Sequence, residues 1–170
     1  MTRSGRLALA TVAVIAGGCA AMARASEMGR DGPWMFTERT NDDGSAPQQM
    51  AATPSAEDND VWLLLVCNSV EVTASLMHST AFSPNAAAPR TLTLRSANFP
   101  AVTVKARAVQ PNQVSIDAAT TRHIFPLVTE SDRLTVSIDD ASAAHSYTFS
   151  LQPHRVALTG IVEHCLNQDR

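Results

Sequence analysis

Along most of the chain between Trp34 and Leu151, apolar and polar residues alternate with a period of two. This is the pattern of strands that turn one face to a core. VWLLLVC (61–67) departs from it as a continuous apolar run. It is readable as a strand buried on both faces or as a piece of buried helix, and its shortness and Asn-Asp-rich lead favour the strand. Asn68-Ser69 can turn the chain, after which VEVTASLMH (70–78) alternates, with Val70, Val72, Ala74 and Leu76 on one face and Glu71, Thr73, Ser75 and Met77 on the other. The two segments together predict an antiparallel hairpin. TLTLRS (91–96), VTVKARA (102–108), VSID (114–117), DRLTVSID (132–139) and HSYTFSLQ (145–152) predict further strands. PWMFTERT (33–40) and the weaker QQMAAT (48–53) flank the turn-forming NDDGS (41–45), while PSAEDND (54–60) and FSPNAAAP (82–89) read as loops.

Two segments break the period. AATTRHIFPLVTE (118–130) is ambiguous: Asp117 can cap a helix, but Pro126 would disrupt its interior, so a short helix or turn is expected. After Pro153, Leu158, Ile161, Val162 and Cys165 fall at i, i+3, i+4 and i+7, the stripe of an amphipathic helix over His154–Leu166. Gly160 lies inside that helix at some cost in stability. Many short strands followed by one helix predict a mainly β (α+β) fold. We expect an antiparallel sandwich or curled sheet of about seven to nine strands, with the C-terminal helix packed on it.

The N-terminus follows another logic. Arg3 and Arg6 precede the apolar LALATVAVIAGG (7–18), and Ala23-Arg24-Ala25 supplies a small-x-small pattern. Together they predict a signal peptide over residues 1–25, cleaved between Ala25 and Ser26. The segment is too short and wrongly flanked for a membrane span. In the minority reading AGGC resembles a lipoprotein box with Cys19 acylated, although Ala16 stands where a large aliphatic residue is usual. Residues 26–32 (SEMGRDG) are expected to be a flexible lead, and 33–170 a single periplasmic β-rich domain.

Loss of Arg3, Arg6 and Arg24 with the leader takes the formal charge from −3 to −6 and leaves Lys105 as the sole lysine. Such a chain offers no basic patch to nucleic acid or anionic lipid. Without Cys19, two cysteines remain, Cys67 on the apolar run and Cys165 on the helix stripe, both on core faces. In an oxidising compartment an even pair predicts a disulfide, which would pin the last helix onto the central strand. LLLVC is too apolar a setting for a reactive thiol. Glu163, His164 and Cys165 point in different directions from a helix and cannot converge on one metal ion.

Asp42-Asp43 and Asp139-Asp140 are paired carboxylates, but each sits in a turn where Asp is common, and NDDGS lacks the spacing of a calcium loop. His78, His123, His145, His154 and His164 are scattered, and no G-x-S-x-G or phosphate loop occurs. Trp34 and Trp62 would make a sugar platform if exposed, but their places beside core strands favour burial. We expect no enzyme, cofactor or metal.

The order of these features resembles a periplasmic family associated with type VI secretion, VasI or TagO-like. The matching residues are Trp34-Met35-Phe36 with Thr40, Asp42-Asp43-Gly44-Ser45, Leu64-Leu65-Val66-Cys67 and Glu71-Val72. Downstream they are Asp132-Arg133-Leu134-Thr135-Val136, Tyr147 to Leu151, and Ala157-Leu158 through Cys165, with 79–115 outside the pattern. The resemblance implies a non-enzymatic accessory or scaffold protein of the Gram-negative envelope, and we expect it to act by binding another envelope protein. It carries over no catalytic residue. The alternative is a carbohydrate-binding module or an inhibitor of a cell-wall hydrolase. An exposed aromatic or acidic surface would favour that alternative, and a polar surface with an uncovered sheet edge would favour protein binding.

Overall fold

The computed structural model describes residues 28–39, 48–68, 71–80, 89–139 and 144–166, and within them the period-two segments pair as antiparallel strands. In chain order these are β1 (Met28–Asp31), β2 (Trp34–Arg39), β3 (Gln48–Pro54), β4 (Val61–Asn68), β5 (Glu71–His78), β6 (Arg90–Arg95), β7 (Val102–Gln110) and β8 (Gln113–Ile116). Helix α1 (Ala118–Thr129) follows, then β9 (Arg133–Asp139), β10 (Ala144–Ser150), α2 (Arg155–Ile161) and a π-helical turn, Val162–Leu166. The strands form one sheet in the order β1-β2-β3-β4-β5-β8-β7-β6-β9-β10. The chain is therefore mainly β with short helices, the class the periodicity predicts.

VWLLLVC is β4, near the middle of the half built from β1 to β5. Val61, Leu63, Leu65 and Cys67 face the core and are buried, and opposite Leu65 lie Ala51 of β3 and Ala74 of β5. On the other face Leu64 is also buried, whereas Trp62 and Val66 are half-buried beside Met50 and Met77. The continuous apolar run thus reflects a strand covered fully on one side and partly on the other.

The sheet curls without closing. Ser55, just past β3, pairs with Phe149 of β10 in an isolated bridge, and the Ala56 N–H donates to the Thr148 carbonyl at 2.7 Å. Leu65, Leu76, Leu92, Leu134 and Phe149 fill the inside of the curl, where α1 adds Ile124, Phe125, Leu127 and Val128. Leu63, Leu76, Leu92, Ile124, Val128 and Leu134 close around a void of only 20 Å³, the packing density expected of a protein interior.

Three expectations change. The ten strands exceed the expected seven to nine because Met28–Asp31, in the segment read as a flexible lead, form β1. A two-residue turn joins it to β2, with Asp31 paired to Trp34 and Gly32 at φ 60°, a conformation open to glycine at little cost. Second, α1 is a full 12-residue helix that runs through Pro126. The Asp117 side chain caps it, and its buried apolar face outweighs the hydrogen bond that proline cannot make. Third, the C-terminal helix changes to a π-helical turn after Ile161. Leu158, Ile161 and Cys165 of its stripe are buried, and Val162 is half-buried.

Asp31 also explains how α2 begins. His154, at the N-cap, makes no capping bond with its side chain. Instead the Asp31 carboxylate accepts from the N–H groups of Val156 (2.7 Å) and Ala157 (3.2 Å). Capping thus comes from a residue distant in sequence, placed by β1. Asp31→Ala is expected to cost about 1 kcal/mol of stability, the usual worth of a helix cap, with Asp31→Asn recovering most of it; urea unfolding measures both.

Gly160 lies against the end of the Gln49 side chain. A Cβ there would lie 2.5 Å from Gln49 Oε1, and Gln49 is a buried β3 side chain that donates to Glu38 at 3.0 Å. A larger residue at 160 would have to displace the end of the Gln49 side chain, which gives a reason for a residue of poor helix propensity in the middle of a short helix.

Candidate binding site at a split in the sheet

Cys67 and Cys165 form a disulfide, with Cα atoms 5.9 Å apart and both side chains fully buried. It joins β4 to the π-helical turn, and the Arg122 guanidinium of α1 donates to the Cys165 carbonyl at 3.3 Å. These cysteines are architecture and offer no thiol for chemistry.

Trp34, among the residues that carry the family resemblance, is fully buried and donates its indole N–H to the Leu151 carbonyl at 2.8 Å. Asp132 and Arg133 are exposed at the start of β9, where the Asp132 carbonyl accepts from the Leu151 N–H. Asp42, Asp43, Cys19 and the cleavage position Ala25–Ser26 lie outside the described residues. Trp62 is half-buried, so the two tryptophans form no exposed platform.

Among the described residues the candidate acids and histidines do not come together. Asp139 is exposed at the end of β9. His78 lies 3.8 Å from the Asp58 carboxylate, and its Nδ1 accepts from the Thr80 N–H. Among the described residues no three His, Cys, Asp or Glu side chains converge to hold a metal, and no helix is long and apolar enough to cross a membrane.

What does converge lies where the sheet divides. β8 is only four residues long, and it joins β5 at Ala74–Met77 and β7 at Arg107–Gln110, with an irregularity between Ala108 and Gln110. After Ile116 the chain leaves the sheet for α1, so no strand separates the first residues of β5 from those of β7. Thr121 of α1 holds the inner end of this split: its hydroxyl accepts from the Ala74 N–H at 3.0 Å and donates to the Ile116 carbonyl at 3.3 Å.

Outside Thr121 the split opens into a concavity of about 640 Å³, bordered by Thr73, Lys105, Arg107, Ser115 and Asp117, with Ala106 and Ile116 among its apolar walls. Lys105 and Arg107 lie two apart on β7, so both side chains leave the same face of the strand. Both are exposed, Arg107 stands opposite Ser115, and neither side chain has an ion pair or hydrogen bond among the described residues. Asp117 is already engaged by the first turn of α1. Hydrogen bonds from the Thr120 N–H (2.9 Å) and hydroxyl (2.8 Å) hold its carboxyl below the ordinary range.

A second polar cluster closes the curl. Glu57 Oε2 accepts from the Thr148 N–H at 2.7 Å and from the Ser55 hydroxyl at 2.9 Å. Burial is the largest single influence on this carboxyl and pushes it up, but the bonds from Thr148 and Ser55 together outweigh it and hold the carboxyl below 4.5. A depressed folded-state value means that the ionised latch stabilises the fold above pH 4.5 and fades as pH falls through the folded value. Amide exchange at Thr148 is therefore expected to speed up below pH 4.5, after correction for the intrinsic rate, and to lose this pH dependence in Glu57→Gln.

Sequence reasoning did not single out Lys105, Arg107 and Thr121 as a group. The K-x-R spacing in VTVKARA shows that the two cations share a face, but only the placement of β8 between β5 and β7 gives that face a cavity. No protein-family model matches the chain, and neither a curated protein nor a solved structure matches it.

Proposed function

We propose that this chain is an exported, non-enzymatic accessory protein of the Gram-negative cell envelope, periplasmic in its mature form, that binds another envelope protein by strand addition. The N-terminal signal-like segment and the disulfide support export. The observation that carries the reading is the part of the β10 edge, around Ser146, that residues 53–57 leave uncovered. Thr148 turns its N–H and C=O away from β9, toward Glu57 and Ala56. By the two-residue period of the strand, Ser146 turns its own pair the same way, and no described strand lies on that side. An unpaired edge is a template for an incoming strand. The outward face beside it is hydroxyl-rich, with Ser137 and Ser146 bonded at 2.7 Å and Thr135 and Thr148 at 3.4 Å.

Ser146→Pro tests this directly. It removes an N–H that the ladder to β9 does not use, so the fold and disulfide are expected to survive. Cross-linking in cells that make the full chain is expected to recover an envelope protein with the wild type and to lose it with Ser146→Pro. The same partner with both forms, or none with the wild type, overturns the reading. Recovery of type VI secretion components would assign the chain to that system, and their absence removes that role. A carbohydrate-binding or hydrolase-inhibitor role is the second reading; the concavity at the sheet split, lined by Lys105 and Arg107, would suit an anionic rather than a neutral sugar.

A further inference from the structure

We infer that the split between β5 and β7 is a binding site for a small anionic ligand, a carboxylate- or phosphate-bearing molecule about the size of a sugar. The volume, about 640 Å³, lies within the usual range of ligand pockets. The charge distribution points to the sign of the ligand. In an acidic chain the only lysine stands two residues from an arginine on one wall of this concavity, and neither is neutralised by a described partner. The carboxylate at the border, Asp117, bonds to the Thr120 N–H and hydroxyl and forms no ion pair with either cation, and its single negative charge leaves the two cations in excess.

The geometry suits an oxyanion in other ways. Arg107 offers a planar fork of donors that fits carboxylate or phosphate, and Lys105 adds a second positive charge. The Thr73 and Ser115 side chains bring hydroxyls to the same space. The Ser115 hydroxyl is only loosely held, 3.4 Å from the Ala74 carbonyl and 3.5 Å from that of Ile116, and can turn to a ligand at little cost. No aromatic ring is among the described lining residues, so none of them would stack on a neutral sugar. The site is separate from the β10 edge, and its failure would leave the strand-addition reading standing.

The test is an NMR titration of the folded, disulfide-bonded chain with three probes of one ring size: glucuronate, glucose 6-phosphate and glucose. We expect one or both anions to shift the amides of Thr73, Arg107 and Ser115 at millimolar concentration or below, with the shifts weakening as salt is raised. Whichever anion binds assigns carboxylate or phosphate as the preferred group. Lys105→Gln/Arg107→Gln, two exposed changes that leave the core intact, is expected to weaken binding at least about tenfold. Absence of shifts with both anions, equal shifts with glucose, or unchanged affinity in the double variant overturns the proposal.

Discussion

Replacing Cys67 and Cys165 together by alanine is expected to lower the unfolding free energy by about 4 to 5 kcal/mol. The bond closes a span of 98 residues, and removing it restores to the unfolded chain the freedom that the cross-link withholds. The effect is concentrated at one place. α2 and the π-helical turn follow the last strand, and the disulfide ties this terminal segment to the centre of the sheet. Urea unfolding of the wild type with and without reductant, beside the double variant, measures the loss. A loss below about 1 kcal/mol would mean that packing of Leu158 and Ile161 docks the helix without the bond. Thiol titration of the unfolded, unreduced chain is expected to find neither of these cysteines free.

The second large effect is expected at Trp34. Trp34→Ala should cost about 3 to 5 kcal/mol, because it empties the volume of a fully buried ring. Trp34→Phe separates the two contributions: it keeps part of the volume and leaves the Leu151 carbonyl without the indole donor, with about 1 kcal/mol attributable to the hydrogen bond. The contact links the start of β2 to the residue after β10, so Trp34 fastens one end of the sheet to the other. A shift of the denaturant midpoint at constant slope would confine the effect to stability. Equal midpoints for Trp34→Ala and the wild type would remove Trp34 from the core.

How much of this was legible depends on the range over which each signal acts. The alternation in VEVTASLMH and DRLTVSID declares strand and face locally, and both are strands with Val72, Ala74, Leu134 and Val136 buried. The helical stripe with Cys165 declares an inward face, as does Cys67 at the end of an apolar run. In an oxidising compartment two inward cysteines have little alternative to each other. β1 was not legible in the same way. Its four residues are too few and too polar to show a period, and only the Gly32-Pro33 turn signal marks it. Pro126 misdirected the reading of α1, since local propensity says nothing of the apolar surface the helix buries.

The candidate sites belong almost wholly to the second kind of information. VTVKARA states that Lys105 and Arg107 share a face, but not that a short β8 ends beside them and leaves a split. HSYTFSLQ predicts a strand, but not that it ends the sheet or that residues 55–57 cover half of its free edge. Asp31 caps a helix that begins far along the chain, and Gly160 makes room for Gln49 of β3. The sequence by itself determined which residues face inward, the two cysteines among them, because that is written in the periods of neighbouring residues. Only the tertiary structure decided strand order, the split and the open edge. Those depend on which distant segments pair, and pairing is settled by packing and hydrogen bonding across the whole chain.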